Sequence, residues 1–217
     1  MTHSQEVPAA RDVLVAWDRL PGWIERYESR HAATEWVMSP SAVTGRSADG
    51  STASFAVPLP PLADTTMLGL RAHLLRRWTI GIVLVRRGGF AVARVAGSTV
   101  VESKVGQRHV QGRSKAGGWS QQRFARRRDN QAHAAFDAAA GYAESLLARY
   151  AADLDLLVCG GDRQAVDTVL ETSTLAALTR LPRRWLGGLP DPRRRVLDDA
   201  VARARSVEIS IVDNAPR

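Results

Sequence analysis

The sequence predicts an α/β protein, a mixed sheet with helices on both faces, preceded by an α+β extension. Three observations carry that expectation. Residues 79–110 hold three β-rich runs separated by the short turns Gly88-Gly89 and Gly97-Ser98, the pattern of an antiparallel meander. One long helical stripe follows over about 120–150. Beyond it, strand-like and helix-like segments alternate towards the C-terminus, which puts strands into the sheet and helices against its faces.

The elements follow in order. Residues 9–30 are expected to be helical with a break at Leu20-Pro21-Gly22, because Val13, Leu14, Trp17 and Leu20 share one face and Pro21 suits a first helical turn. Trp23, Ile24 and Tyr27 continue that pattern, and tryptophans at helical spacing read as core. Residues 35–57 carry strand signals around the hairpin connector Asp49-Gly50. The stiff connector V-P-L-P-P-L at 57–62 marks a boundary region. It leads to an expected extension over 1–75, packed on the core, and a main domain over 76–217. Asp64 is the expected N-cap of a short helix reaching about residue 76.

In the main domain, 79–85 is almost continuously apolar, as a strand covered on both faces should be. Phe124, Ala135, Phe136, Ala139, Tyr142, Ala143, Leu146, Leu147 and Tyr150 form the stripe of the long helix. A buried strand is expected at 154–159, ending at Gly160-Gly161, then helix at 164–170 and a second helical piece after Ser173-Thr174. Asp191-Pro192 reads as an N-cap with proline at the first helical position, opening a helix to about 205, and 207–212 alternates like a strand.

The 217 residues suit one large domain, or one domain with a substantial extension. A net charge of +8 and a pI near 10.8 call for an anionic partner, nucleic acid first and anionic membrane second. Lysine occurs only at 104 and 115, so the charge is almost all arginine, and part of that excess reflects a GC-rich genome. The single cysteine, Cys159, forms no intramolecular disulfide and fits a reducing compartment. No apolar run approaches the roughly 20 residues that span a bilayer. The start M-T-H-S-Q-E-V lacks the basic and apolar segments of a secretory signal. A cytoplasmic, monomeric protein that makes no membrane contact is the expectation.

Chemistry concentrates at 104–128. Gly112, Gly117 and Gly118 allow close backbone approach. Arg108, Arg113, Lys115, Arg123, Arg126, Arg127 and Arg128 supply charge for phosphates. Gln121 and Gln122 are amides that hold water without titrating. Work on a phosphate-bearing substrate, RNA above all, follows. Trp119 can stack on a base or ribose, or dock back on its own domain. His109 reads as structural or phosphate-facing more readily than as a base. Gly160-Gly161 lacks the Lys-Ser/Thr of a P-loop and reads as a tight turn. Glu102, Asp153, Asp155 and Asp162 lie near strand ends, where a metal nuclease would gather carboxylates, although their spacing does not demand one.

The run G-G-W-S-Q-Q-R-F-A-R-R-R at 117–128, with three β-runs before it and L-L-V-C-G-G-D after the helix, resembles the catalytic domain of eukaryotic and archaeal class I peptide release factors. That domain carries Gly-Gly-Gln ahead of an arginine-rich R-F-A-R helix, whereas Trp119 stands here in the glutamine's place. The Vms-like release-factor family is a closer likeness, in its bacterial, actinobacterial-type branch. Its glutamine lies one step later in a G-x-x-Q arrangement, met here by Gly118, Trp119, Ser120 and Gln121.

The resemblance implies an RNase H-like release-factor catalytic-domain fold over roughly 78–205, with a glycine-rich loop at 111–121. It implies stop-codon-independent action on peptidyl-tRNA at the large ribosomal subunit, with Gln121 catalytic beside Gln122, Gly117, Gly118 and Ser120. Arg108, Arg113, Lys115, Trp119, Arg123, Arg126, Arg127 and Arg128 would hold tRNA and ribosomal RNA, and no cofactor or metal is called for. Two alternatives stay open: a nuclease acting on the tRNA 3′ CCA end, and a binding module without chemistry.

Overall fold

The computed structural model describes residues 10–31, 33–107 and 119–214, and the side chains of these except in 119–132. The chain forms two units, Met1–Arg76 with Arg205–Arg217, and Arg77–Ala204. Each holds one five-stranded sheet, in the orders β1-β10-β4-β3-β2 and β7-β6-β5-β8-β9.

In the first unit, β1 (Arg11–Ala16) is followed by a 3-10 turn, α1 (Leu20–His31), β2 (Thr34–Met38), β3 (Ala42–Ser47), β4 (Thr52–Ala56) and α2 (Met67–Leu75). Residues 11–16 are therefore a strand and not the first part of a helix. Val13 and Val15 are β-branched and alternate with the exposed Asp12 and Leu14. The deciding partner is remote: β1 pairs antiparallel with β10 (Ser206–Val212), from Arg11 opposite Ile211 to Ala16 opposite Ser206. β10 also pairs with β4. The C-terminal strand thus lies in the sheet of the first unit, although the sequence alone groups it with 76–217.

The expected turn at Asp49-Gly50 joins β3 to β4, with Gly50 at φ +84 and its N–H donating to Ser47 O at 3.0 Å. Thr66, not Asp64, caps α2 through its Oγ1, which accepts from Gly69 N at 3.0 Å. Asp64 holds the turn before it, accepting from Thr66 N at 3.2 Å. His31, at the end of α1, is buried with Nδ1 2.9 Å from Asp49 Oδ2 and Nε2 3.3 Å from Asp213 Oδ1. Arg11 reaches the other oxygen of Asp213 at 3.0 Å. One histidine so ties a helix end, a hairpin turn and the end of β10.

The second unit opens with β5 (Thr79–Arg86), β6 (Gly89–Ala96) and β7 (Thr99–Gln107), the predicted antiparallel meander. After α3 (Trp119–Leu146), β8 (Leu156–Gly161) pairs parallel with β5. After α4 (Arg163–Leu170), β9 (Arg183–Leu186) pairs parallel with β8. The last helix is α5 (Arg194–Ala204). Val83, Val85, Phe90, Val92, Leu157 and Cys159 join Ala139, Ala143, Leu147, Val166 and Leu170 in one core, so α3 and α4 cover one face. Ile80, Ile82 and Leu84 alternate to the opposite face and are equally buried. α5 lies against β5, β6 and β9. Helices stand on both faces of a mixed sheet, as the sequence predicts.

Three boundaries differ from that prediction. α3 ends at Leu146 and a 3-10 segment, Ala148–Asp153, kinked at Tyr150, replaces its last turn. The helical piece expected after Ser173-Thr174 begins at Ser173 itself and consists of two short 3-10 turns, Ser173–Leu175 and Leu178–Arg180. α5 begins at Arg194, and Asp191 does not cap it. The Asp191 carboxylate faces Arg86 Nε at 3.6 Å instead.

Candidate functional site

The connection between β7 and α3 is the place where the sequence puts the chemistry. β7 reaches its end at Gln107, paired with Gly89, and α3 begins at Trp119. Two glycines are required at this sheet end. A Cβ on Gly106 would run into the Phe90 ring, and one on Gly89 would run into the carbonyl of Gly106. Phe90 in turn stacks on Tyr142 of α3, with ring centroids 5.7 Å apart, and Lys104 of β7 stands 5.1 Å above the Tyr142 ring. A cation over a ring is worth ~0.5–1 kcal/mol at an exposed site. Sheet edge and helix are thereby held together near the exit of β7.

Beyond the end of α3, Arg94 of β6 lies 4.0 Å from the ring centre of Tyr150 in the 3-10 segment and 2.9 Å from Glu102 of β7. Burial of α3 is described from His133 onward, with Ala135, Ala139 and Ala143 fully inside. From Trp119 to His133 the helix axis advances ~21 Å at 1.5 Å per residue. The backbone of the segment with Gln121, Gln122 and the four arginines therefore belongs to the N-terminal half of α3.

Of the sequence-predicted site residues, Arg108, Arg113, Lys115, Gly117 and Gly118 lie outside the described residues, as does His109. Trp119, Ser120, Gln121, Gln122, Arg123, Arg126, Arg127 and Arg128 lie on α3 by their backbone, and their side chains lie outside the described ones. The structure thus assigns the second group to one helix.

The strand-end carboxylates are not brought together. Glu102 pairs with Arg94, Asp155 Oδ2 accepts from Thr79 N at 2.8 Å, and Asp162 caps α4 by accepting from Ala165 N at 3.2 Å. Asp153 is exposed on the 3-10 segment. Among the described residues no three His, Cys, Asp or Glu side chains are placed to hold a metal ion. Gly161, at φ +103, takes a conformation that L side chains rarely adopt, and its Cβ would meet the Val85 carbonyl. It closes β8 against β5. Burial pushes the Cys159 thiol up to about 11, so at neutral pH it is a protonated core residue and no nucleophile.

Sequence reasoning did not single out Tyr142 or Phe90 for this site. Their signal was present as an aromatic pair flanking the basic segment, but Phe90 and Tyr142 both satisfy the ordinary pattern of core positions.

These features define a mixed α/β protein that sets a glycine-rich, cationic connection between a sheet edge and its longest helix. The family acVLRF1, described as Actinobacteria/chloroflexi VLRF1 release factor, matches residues 78–210, and the chain belongs to that family. No curated protein matches. Among solved structures, the archaeal translation termination factor aRF1 is similar at 16% identity and a TM-score of 0.35, over 74% of this chain and 50% of that one. The chain spans about half the length of that factor. Among the described residues no helix is long and apolar enough to cross a membrane.

Proposed function

We propose that the protein is a peptidyl-tRNA hydrolase of the large ribosomal subunit, freeing nascent chains from tRNA on stalled subunits without reading a stop codon. The observation that carries this reading is the family match over 78–210, which spans the whole G-G-W-S-Q-Q-R-F-A-R-R-R segment. The placement of Gln121 and Gln122 in the first turn of α3 supports it. Residues 1–75 are proposed as an extension serving the main domain, and the protein works as a monomer in the cytoplasm.

In this reading Gln121 is inserted beside the ester that joins the peptide to the 3′-oxygen of the terminal ribose. Its amide accepts from and donates to one water, which adds to the carbonyl carbon. The carbon–oxygen bond to the ribose then breaks. The proton leaves the water through the neighbouring 2′-hydroxyl and arrives on the departing 3′-oxygen, because an amide has no useful pKa for proton transfer. Orientation and stabilisation of the developing oxyanion do the catalytic work. Gln122, Ser120, Gly117 and Gly118 shape that turn. Arg108, Arg113, Lys115, Trp119, Arg123, Arg126, Arg127 and Arg128 hold the RNA around it.

The test is single-turnover release of labelled peptide from peptidyl-tRNA on isolated large subunits, followed by mass analysis of the tRNA. Released peptide with an intact CCA end supports ester hydrolysis. A shortened 3′ end assigns the activity to the phosphodiester, and binding without release leaves a docking module.

A further inference from the structure

Several cations of the second unit are engaged within the protein. Arg94 and Lys104 lie over tyrosine rings, and Arg163 is 4.4 Å from the centre of the Trp185 ring. Others are exposed, and three of these are brought together by the fold. Arg87 is exposed in the turn between β5 and β6, and Arg193 and Arg195 are exposed where α5 begins. None of the three has an ion pair, side-chain hydrogen bond or ring contact among the described residues.

The two segments are held against each other by their neighbours. Arg86 Nη1 donates to Leu189 O at 2.7 Å, and its Nε faces Asp191 at 3.6 Å. A Cβ on Gly88 would stand 3.4 Å from the same Asp191 carboxylate. Arg194 donates to Ser103 Oγ of β7 at 3.2 Å and to Asp198 at 3.1 Å. The turn 86–89 and the residues 191–195 thus form one surface, with Arg86 and Arg194 braced and three guanidinium groups open to solvent. It lies at the sheet end where Gly89 pairs with Gln107, beside the exit towards 108–118.

This clustering works against the stability of the fold. α5 has no acidic residue in its first turn, and a cation there is disfavoured by the helix dipole by ~0.3–1 kcal/mol. Asp191, placed by sequence to cap the helix, is diverted to Arg86. An external polyanion would relieve both the dipole and the mutual repulsion. Guanidinium groups are suited to phosphate oxygens by their fixed fork of donors.

We propose that Arg87, Arg193 and Arg195 form a second RNA-backbone contact, which grips phosphates of the large-subunit RNA at the sheet end where β7 stops; this rests on the ribosomal reading above. The surface carries affinity and not chemistry.

The experiment compares wild type, R87Q/R193Q/R195Q and R87K/R193K/R195K in binding to large subunits, to a single-stranded RNA oligonucleotide and to phosphatidylglycerol vesicles across a salt series. Three lost phosphate contacts lower the slope of log affinity against log salt by about 2. That drop is expected for the Gln variant on both RNAs, with the Lys variant close to wild type. Circular dichroism checks folding, and R87Q/R195Q serves if the triple variant melts early. An unchanged slope on both RNAs overturns the proposal, and so does a loss seen only on vesicles. If wild type binds and acts on subunits while the Gln variant keeps its slope there and on the oligonucleotide, the surface falls and the ribosomal reading stands. If the slope drops on the oligonucleotide while neither protein binds subunits, the arginines contact RNA backbone but not that of the large subunit, and the ribosomal reading falls with that part of the proposal.

Discussion

The two sheets solve the same packing problem differently. In the second unit β5 and β8 are buried along nearly their whole length, with helices on either face, and their residues are apolar on both sides. In the first unit β1 and β2 are half-buried edge strands that leave Leu14 and Val37 more than half exposed. One sheet is a two-sided core fixed by volume, and the other is a one-sided surface fixed by pairing and by a few polar ties. Function is expected to follow the division, because a rigid two-sided sheet is the better mount for a reactive segment.

Core truncation should separate the two most strongly. Leu157→Ala, at a fully buried position, is expected to destabilise the protein by ~2–5 kcal/mol in urea unfolding. Leu14→Ala, at an edge position 56% exposed, is expected to change it by no more than ~0.5 kcal/mol. Equal losses would erase the distinction.

Thiol labelling probes the same core without a mutation. Cys159 is buried and its thiol is pushed up to about 11, so native protein at pH 8 should resist iodoacetamide for hours and react within minutes once unfolded. Fast native labelling would mean that the sheet opens far more readily than its packing implies.

The smallest effect belongs to the first unit. The hydrogen bond from His31, followed by the backbone N–H of Ser51, holds the Asp49 carboxyl below its usual 3.8. A lowered carboxyl contributes stability that is present above its unfolded value and is lost as pH falls through the folded one. Acid unfolding below about pH 4 should therefore be shallower in Asp49→Asn than in wild type. Identical acid limbs would remove the His31–Asp49 tie from the account.

The contrast also explains what the sequence disclosed. The continuous apolar run in β5 and the glycine turns at 88–89 and 97–98 have few other readings, and the meander stands as predicted. β1 was legible only as a face: Val13, Leu14, Trp17 and Leu20 fit a helical stripe as well as a strand. The partner that decides the matter, β10, lies at the other end of the chain. The start of α5 was misplaced because a cap depends on what else the aspartate can reach, and Asp191 reaches Arg86. The amides and arginines of 117–128 announced themselves by type and spacing. Arg87, Arg193 and Arg195 did not, since only the fold brings the 86–89 turn to the 191–195 segment.

The central claim is that a neutral amide in the first turn of α3 directs water onto the peptidyl ester. The most direct measurement is the single-turnover rate of peptide release by Gln121→Ala on peptidyl-tRNA-loaded large subunits, at saturating protein. A fall of about 10²-fold or more with subunit binding intact is the expected result, in line with loss of one oriented donor at a reacting oxygen. Release at the wild-type rate would contradict it.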